Sequence, residues 1–518
     1  MKKMLWAVFI VLGASMSMCF ADVVHAQTKE QYEKAAEQGD VDAQFNLGYM
    51  YYNGKGVEQD YGKAREWLEK AAAQGDAAAQ NNLGYMYSNG QGVRQDYAKA
   101  KMWHEKAADK GDAEAQFELG MYYGGASVEK DYVKAKEWFE KAAVQGHAFA
   151  QYNLGDTYYY GKGVGQDYAL AKAWYEKAAA QDFSMAQQAL GGMYSSGKGV
   201  MQDYIKAEEW YEKAAAPGFA YALSLGDRYY NGKGVRQNYA KARMWYEKAA
   251  TQGYARAQYF LGFMYSNGQG VKQDYVKAKE WYEKAAAQGF ALAQRNLGVL
   301  YHNGLGVRQD YAQARMWYEK AAAQGNIGAQ NDLGTLYHNG QGVTQDYAKA
   351  WMWYEKAAAQ GNANAQYNLG MLYHNGQGVM RDYAQARMWC EKAAAQGNAN
   401  AQAVLGIMYN NGQGVRQDYF KAKEWYEKAA AQGNAGAQND LGVLHHNGQG
   451  VRQDYSKARM WYEKAAAQGH AFAQRNLGVL HHNGQGVRQD YFRAKEWYGR
   501  ACDSGDQQGC DTYKQLNR

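Results

Sequence analysis

The sequence predicts an all-α protein, a right-handed superhelical solenoid of about thirteen helical hairpins with 36 residues each. Three observations support this prediction. Tryptophan returns at a fixed period of 36 residues, and a period of this size is typical of repeat proteins. Each unit contains two stretches with apolar residues at helical spacing. The 60 glycines recur at fixed positions suited to helix ends rather than to flexible linkers. The aligned tryptophans are Trp281, Trp317, Trp353, Trp389, Trp425, Trp461 and Trp497.

The first predicted helix of each unit carries this tryptophan, and we call it the tryptophan helix. In the unit spanning residues 311–346, Asp310 precedes this helix and can accept hydrogen bonds from its first backbone N–H groups. Trp317 and Tyr318 lie on its apolar side. Gly325 follows it and suits the positive φ with which many helices end.

The second predicted helix contains the motif A-Q-x-x-L-G, and we call it the A-Q helix. Asn326 can cap its start, and Gly340 can end it. Ala329, Leu333 and Tyr337 fall at i, i+4 and i+8 on one face. Each helix has one bulky ring or leucine among alanines and glycines. A hairpin therefore buries enough apolar surface only when it stacks on neighbouring hairpins.

The full pattern, A-x-x-x-A-Q-x-x-L-G-x-x-Y-x-N-G-x-G-V-x-x-D-Y-x-K-A-x-x-W-Y-x-K-A-A, resembles the Sel-1-like repeat family, a longer-loop relative of the tetratricopeptide repeat. The resemblance covers nearly all of the chain after residue 27. It implies an α-solenoid that works as an adaptor, holding envelope enzymes, receptors or host proteins together. The units are counted by the tyrosines that open the tryptophan helices: Tyr61, Tyr97, Tyr132, Tyr168, Tyr204, Tyr239, Tyr275, Tyr311, Tyr347, Tyr383, Tyr419, Tyr455 and Tyr491.

The N-terminus has the three parts of a secretory signal peptide. Met1–Lys3 is basic, Leu5–Leu12 is apolar, and Val24–Ala26 resembles a small-residue cleavage site before Gln27. The sequence therefore predicts an exported protein, periplasmic or secreted, with no membrane span after cleavage. An uncleaved anchor is the main alternative, and a lipoprotein at Cys19 is the weaker one because Met18 is bulky where such sites have a small residue.

The predicted domains are a signal peptide (1–26), a repeat solenoid (27–500) and a C-terminal capping half-repeat (501–518). Two units are one residue short, and both lie within residues 108–235 together with Pro217, the only proline. We expect a change of superhelical pitch in this section, and whether it forms a hinge stays open.

Composition excludes some classes of partner. The net charge is +6 over 518 residues, and charges of both signs alternate along the helices. Without a dense basic patch, the sequence predicts no nucleic-acid partner. It also predicts no cofactor and no metal site.

The cysteines at the C-terminal end are predicted to pair. Cys502 and Cys510 flank the final turn, and in an exported protein this spacing favours a disulfide. A cysteine-rich bacterial branch of the Sel-1-like repeat family has bridges in similar places. Cys390 replaces the tyrosine after Trp389 and is predicted to be a buried, unreactive thiol.

Three motifs resemble catalytic or binding motifs. The G-x-G of Gly304–Gly306 follows a helix and lacks the third glycine of a phosphate-binding loop. Ser195–Lys198 matches S-x-x-K, but its S-D-N and K-T-G partners are missing. Equivalent histidines of stacked helices lie about 8–10 Å apart, too far to share one zinc ion. These histidines are His302, His338, His374, His446 and His482, with His445 and His481 beside the last two.

The favoured function is non-enzymatic: a scaffold that binds other proteins through the groove of the solenoid. The alternative is a cell-wall-acting or β-lactam-binding protein, as the cysteine-rich branch of the family suggests. The predicted partner-binding residues occupy the two variable positions after A-Q, where aromatic residues and arginines are the types that anchor interfaces. They are Tyr259, Phe260, Arg295, Asn296, Asp332, Tyr367 and Arg475.

Two further interpretations of the variable positions remain open. Neutral drift also varies exposed residues. A stripe of methionines before the tryptophan could instead bind the partner, or could simply pack against the next hairpin. This stripe consists of Met244, Met316, Met352, Met388 and Met460.

Overall fold

The structure is a computed structural model that describes residues 29–126, 130–216 and 219–516. These residues form 28 α-helices, one π-helical turn and no strand. The chain divides into two compact units, which we call unit 1 (Met1–Trp245) and unit 2 (Tyr246–Arg518). The predicted signal peptide lies outside the described residues. The all-α solenoid prediction is confirmed.

Helices alternate between the two types along the chain. The first fifteen are α1 (Lys29–Glu37), α2 (Val41–Asn53), α3 (Tyr61–Ala73), α4 (Ala77–Asn89), α5 (Tyr97–Asp109), α6 (Ala113–Met121), α7 (Tyr132–Val144), α8 (Ala148–Tyr160), α9 (Tyr168–Ala179), α10 (Ser184–Ser196), α11 (Tyr204–Ala215), α12 (Phe219–Asn231), α13 (Tyr239–Ala250), α14 (Ala255–Asn267) and α15 (Tyr275–Ala287). The others are α16 (Ala291–Asn303), α17 (Tyr311–Ala323), α18 (Ile327–Asn339), α19 (Tyr347–Ala359), α20 (Ala363–Asn375), α21 (Tyr383–Ala395), α22 (Ala399–Asn411), α23 (Tyr419–Ala431), α24 (Ala435–Asn447), α25 (Tyr455–Ala467), α26 (Ala471–Asn483), α27 (Tyr491–Asp503) and α28 (Gln507–Gln515).

The predicted helix caps are present. Asp310 Oδ1 accepts hydrogen bonds from the backbone N–H groups of Ala312 and Gln313 at 2.9 and 3.0 Å. Asn326 Oδ1 accepts from the N–H of Ala329 at 2.9 Å. Gly340 ends α18 with a φ of +69°, which glycine adopts at little cost. Polar caps and glycines in the sequence therefore set where the helices begin and end.

Each A-Q helix packs closely on the tryptophan helix that follows it. A Cβ atom on Gly298 would lie 2.5 Å from the ring of Tyr318, so only glycine allows this approach. Tyr318 is buried, and Trp317 packs against the alanines and leucines of the preceding hairpin. Both rings therefore join a tryptophan helix to the preceding hairpin.

A ladder of buried glutamines links successive hairpins, and sequence reasoning missed it. Gln366 Nε2 donates to the carbonyl oxygen of Ala358 at 3.1 Å. Gln396, thirty residues later, donates to Gln366 Oε1 at 2.8 Å. The same pair of bonds recurs in most repeats. The glutamine of the A-Q motif therefore donates to a helix-end carbonyl and also accepts a hydrogen bond from the next hairpin.

Three ladder glutamines of the described residues lack the donor from the next hairpin. The side-chain oxygens of Gln80, Gln187 and Gln474 are buried and have no hydrogen-bond partner there. Thirty residues after each, the sequence has Lys110, Pro217 and Ser504 instead of glutamine. None of these three side chains supplies an amide donor of matching length. The interruptions mark weaker links between neighbouring hairpins.

We expect Gln366→Leu to lower the local free energy of unfolding by about 1–3 kcal/mol, because it leaves the buried Ala358 carbonyl unpaired. Gln187→Leu should cost less, because it also removes an oxygen that already lacks a partner. Hydrogen exchange of the helices α20 and α10 measures both changes. Equal losses at the two sites would contradict the ladder.

The two short units are accommodated differently. After α6 the chain forms a π-helical turn over Tyr122–Ala126, a geometry with one more residue per hydrogen-bonded turn. The helix α12 keeps its full 13 residues but has Ala222 and Leu223 where A-Q would be, so it lacks the ladder glutamine. The predicted change of pitch within residues 108–235 stays a prediction.

At the C-terminal end, α27 and the short helix α28 are joined by a disulfide between Cys502 and Cys510. Cys390 is fully buried, as predicted, and burial raises the pKa of its thiol to about 12. None of the helices within the described part of the chain has both the length and the hydrophobicity of a bilayer span.

Candidate partner-binding surface

The predicted partner-binding residues all lie in unit 2, on A-Q helices. Successive A-Q helices contact one another directly, as α14 contacts α16 and α18 contacts α20. The two positions after A-Q, taken from every A-Q helix of unit 2 except α22, form what we call the A-Q surface of unit 2; α22 has Ala403 and Val404 there. It comprises Tyr259, Phe260, Arg295, Asn296, Asn331, Asp332, Tyr367, Asn368, Asn439, Asp440, Arg475 and Asn476.

Aromatic rings occupy the first part of the A-Q surface. The rings of Tyr259 and Phe260 lie 5.4 Å apart, edge to face. Phe260 stacks parallel to Tyr246 at 5.1 Å, and Tyr259 lies 5.2 Å from Phe290. Aromatic contacts of this kind stabilise the site beyond the area they bury. Tyr259 and Phe260 are half-buried.

An ion pair bridges the next two A-Q helices. Arg295 Nε lies 2.8 Å from Asp332 Oδ2, and the two residues belong to α16 and α18. Asn296 Nδ2 donates to the hydroxyl of Tyr282 at 3.1 Å. The arginine side chain is still 36 % exposed, and only its Nε is used in this pair. The pair fixes the guanidinium in one direction.

Amide side chains continue the surface. Asn368 Nδ2 donates to Asn331 Oδ1 at 3.3 Å, and Asn476 Nδ2 donates to Asn439 Oδ1 at 3.1 Å. Each bond uses one donor or one acceptor of an amide that has two donors and a carbonyl oxygen. These asparagines link neighbouring A-Q helices, and Asn439 is buried and also donates to Asp440 Oδ1 at 3.1 Å.

The last two predicted partner-binding residues, Tyr367 and Arg475, make different contacts. Tyr367 is half-buried against the core cluster around Cys390, and burial raises the pKa of its hydroxyl. Arg475 Nη1 contacts Gln508 Oε1 and lies 3.4 Å from Asp506 Oδ1, so it holds the closing helix in place. Arg475 therefore has a structural task, which its position in the sequence did not reveal.

Sequence reasoning expected the two positions after A-Q to face solvent, but on the A-Q surface Asn439 is buried and the other members are half-buried. The reason is the distance between successive A-Q helices. Side chains at these positions reach the equivalent positions of the next hairpin and bond to them. Whether they also bind a partner stays a prediction.

A cluster in unit 1 was missed. The hydroxyl of Tyr85 lies 2.9 Å from both Glu114 Oε1 and Glu118 Oε1. His147 Nδ1 accepts from the N–H of Ala150, so its Nε2–H donates to Glu114 Oε2 at 2.9 Å. The signal was present in A-E-A-Q-F-E, where the two glutamates lie at i and i+4 on one helix face.

The cluster shifts the pKa of its carboxyl groups in opposite directions. Burial raises the pKa of Glu118 to about 7, and the neighbouring charge of Glu114 adds to this. Burial also opposes ionisation of Glu114, but hydrogen bonds from His147 and Tyr85 outweigh it and lower its pKa. One hydroxyl hydrogen cannot serve two carboxylates at once, so a proton on Glu118 completes the network.

His104, which contacts this region, gives a pH-dependent prediction. It is buried, its Nδ1 bonds to Asn81 Oδ1 at 3.0 Å, and burial lowers its pKa to about 4. Its contribution to stability is present above the unfolded pKa of about 6.5 and is lost as pH falls towards 4. Relative to wild type, His104→Tyr should gain about 3 kcal/mol of local stability over this interval. Hydrogen exchange of α4 and α5 measures the gain.

Glu118→Gln is a control for which the stability relative to wild type should change with pH in the opposite direction. The raised pKa of Glu118 means that its protonated form stabilises the fold below about pH 4.5 and that this stability is lost as pH rises through 7. Relative to wild type, the glutamine variant should therefore gain stability as pH rises. If the stability of both variants, relative to wild type, changes in the same direction with pH, His104 and Glu118 are not both buried.

The catalytic motifs do not assemble into a site. The hydroxyls of Ser195 and Ser196 donate to the carbonyl of Gly192 at 3.0 and 2.8 Å, and Lys198 Nζ lies over the ring of Tyr159 at 5.4 Å. Across residues 29–126, 130–216 and 219–516, no group of three or more His, Cys, Asp or Glu is arranged to hold a metal ion. In the adjacent pair His445 and His446, the first is buried and the second is half-buried.

The methionine stripe lies on the tryptophan helices. Met244, Met352 and Met460 are 49, 37 and 41 % exposed. Met316 and Met388 are half-buried. The stripe is therefore partly available to a ligand and partly packed, and it remains the alternative surface to the A-Q helices.

The fold defines the class of protein. Stacked helical hairpins with a tightly packed glycine–tyrosine pair form an α-solenoid related to the tetratricopeptide repeat, a scaffold typical of protein–protein interaction. The Sel1 repeat family profile matches fourteen segments: 32–40, 41–76, 77–112, 113–147, 148–183, 184–218, 220–254, 255–290, 291–326, 327–362, 363–398, 399–434, 435–470 and 471–506. The chain belongs to the Sel1 repeat family.

Solved structures agree with this assignment. A protective antigen present in uropathogenic Escherichia coli strains, which displays an SLR fold, is 38 % identical with a TM-score of 0.61, and the match covers 86 % of this chain and 97 % of that one. A Sel1 repeat protein from Oxalobacter formigenes is 35 % identical with a TM-score of 0.50, covering 66 % of this chain and 89 % of that one. No curated protein matches the chain.

Proposed function

We propose that this protein is an exported, non-enzymatic scaffold that binds other proteins along the A-Q surface of unit 2. The observation that carries the proposal is the series of half-buried aromatic, arginine and asparagine side chains on successive A-Q helices. Held by contacts with the neighbouring hairpin, such side chains lose little conformational freedom when a partner binds. The core positions around them are nearly constant from repeat to repeat, whereas these residues differ.

The capture experiment uses the protein beginning at Gln27 as bait in a crosslinking pull-down from cell envelope or host lysate. The variant combines Tyr259→Leu and Tyr367→Leu with the exchange Arg295→Asp and Asp332→Arg. Leucine stays apolar but removes the aromatic ring and the hydroxyl, and the exchange keeps the ion pair while reversing the charges shown to a partner. We expect this variant to lose the captured proteins while its helicity and melting stay close to wild type.

The matched control replaces the exposed methionines Met244, Met352 and Met460 with glutamine, and it should retain capture. If the methionine variant loses the partner and the A-Q variant keeps it, the binding surface lies on the tryptophan helices. If wild type captures nothing, the scaffold proposal fails. The same preparation should leave β-lactams and muropeptides unchanged, and turnover of either would favour the cell-wall alternative.

Export is tested separately. We expect the mature N-terminus to be Gln27, because the basic start, apolar run and Val-His-Ala site direct cleavage there. The disulfide in the last turn supports an oxidising compartment. N-terminal sequencing of the protein from the cell envelope or culture medium is the measurement. An intact Met1 on that material would refute cleavage.

A further inference from the structure

Two clefts lie at equivalent positions in different repeats, and no residue of the A-Q surface lines either of them. The first has a volume of about 510 Å³ and is lined by residues that include Arg65, Arg94 and Lys99. The second, in unit 2, has a volume of about 690 Å³ and is lined by residues that include Arg387, Arg416 and Lys421. The same three basic positions therefore meet in both clefts.

Each basic residue comes from a different element of the fold. In the second cleft, Arg387 belongs to the tryptophan helix α21, Arg416 to the loop after α22, and Lys421 to the tryptophan helix α23. Lys421 Nζ lies over the ring of Tyr409 at 5.4 Å, and Lys99 Nζ lies over Tyr87 at the same distance. The convergence is thus produced by the hairpin packing, and the tyrosine ring positions the lysine.

The nearby carboxylates are already engaged. Asp418 Oδ1 accepts from the N–H groups of Phe420 and Lys421, each at 3.0 Å, at the start of α23. Glu391 Oε1 lies 3.7 Å from Arg387 Nε. The loop arginine Arg416 is exposed and forms no ion pair or hydrogen bond within the described residues. Three cationic groups face two carboxylates, which leaves each cleft with an excess of positive charge.

We propose that these clefts bind phosphate groups. Arginine offers a fork of N–H donors that matches phosphate oxygens, and lysine adds a compact charge. A phosphate monoester carries about −1.5 to −2 charges, so it can engage several cations where a single carboxylate cannot. The inference goes beyond the scaffold proposal, because no residue of the A-Q surface takes part.

The basic set recurs in the next two repeats of unit 2. The three positions are occupied by Lys423, Arg452 and Lys457, and then by Arg459, Arg488 and Arg493. The repeat before these has Trp351, Met380 and Gln385 instead, so the basic section starts with Arg387. Stacked helices place equivalent positions on the order of 10 Å apart. Three consecutive basic sets, the first of them in an observed cleft, therefore suit a ligand that carries several phosphate groups.

The test uses the full mature chain. One variant, the loop variant, combines three substitutions at the loop position: Arg416→Gln, Arg452→Gln and Arg488→Gln. The control makes the same charge change in the same repeats at Lys392→Gln, Lys428→Gln and Lys464→Gln. These lysines are exposed and lie over Trp389, Trp425 and Trp461, outside the cleft. The probes are inorganic phosphate, short linear polyphosphate and vesicles containing phosphatidic acid.

We expect linear polyphosphate to bind in low salt, with an affinity that falls as salt is added. The loop variant should weaken binding more than about tenfold and reduce the slope of log K against log salt by about 2, at about 0.7 for each lost contact. The control should change affinity less than about threefold. Vesicle binding with the same sensitivity would identify a lipid headgroup as the source of the phosphate.

Two results would overturn the proposal. One is that none of the three probes binds wild type at low salt. The other is that the loop variant and the control lose affinity equally, since net charge alone would then explain binding. Partner capture through the A-Q surface is measured with different residues, so either proposal can fail while the other stands.

Discussion

Gly442→Ala is expected to destabilise the packing of α24 on α25 by about 1–3 kcal/mol, the usual cost of forcing extra volume into a packed core. A Cβ atom on Gly442 would lie 2.4 Å from the ring of Tyr462, and real Cβ atoms do not approach this closely. Tyr462 is itself buried and cannot move away without separating α24 from α25. Urea unfolding and hydrogen exchange of α24 and α25 measure the loss.

Gly436→Ala is the matched control in the same helix. Its nearest contact would be Asn434 Oδ1 at 3.4 Å, so alanine fits. Alanine also has the higher helix propensity, by up to about 1 kcal/mol within a helix. Unchanged or slightly raised stability is expected. If both substitutions destabilise the hairpin equally, close packing of glycine on tyrosine is not what joins the two helices.

Deleting one whole unit, Tyr311–Asp346, is expected to leave a folded protein. Contacts in a solenoid are made between neighbours, so the remaining hairpins can join. In the deletion variant Tyr354 takes the place of Tyr318 against Gly298, which restores the same pair. Circular dichroism should show helicity per residue like that of wild type.

Deleting half a unit, Tyr311–Gly328, is expected to unfold the affected repeats. It removes a tryptophan helix and the cap of α18, so two A-Q helices would meet without the tyrosine that packs between them. A broad, early melting transition is the expected result. A cooperative melt at the wild-type temperature would show that the 36-residue frame is wrong.

Much of the fold could be predicted because its determinants are local. Asp310, Asn326 and Gly340 act within one helix end, and their residue types suffice to place it. The 36-residue period then supplied the stacking. These predictions depend on geometry within a few residues, which a single sequence contains.

The glutamine ladder could not be predicted in the same way. Gln366 and Gln396 lie in different hairpins, and both recur at the repeat period, so each looks like an ordinary constant position. The available signal was the shared exception: Lys110, Pro217 and Ser504 replace the donor glutamine. That signal shows which positions depart from the pattern, but only the packing shows what they would bond to.

The sequence names the residues of the candidate site, but it does not give their environment. The sequence indicates that Arg295 and Asp332 vary between repeats, which suggests exposure. Their distance in the structure is set by the packing of α16 on α18, a tertiary property. The cluster of Glu114 and Glu118 was missed for a related reason, because Tyr85 and His147 come from neighbouring hairpins.

The central claim, that partners bind the A-Q surface, is tested most directly by site-specific photocrosslinking. A benzophenone amino acid is placed at Tyr367 on the A-Q helix α20 or at Met352 on the tryptophan helix α19, and the mature protein is irradiated in the envelope or host extract. We expect partner adducts from position 367 and none from position 352. Adducts from position 352 alone would contradict it.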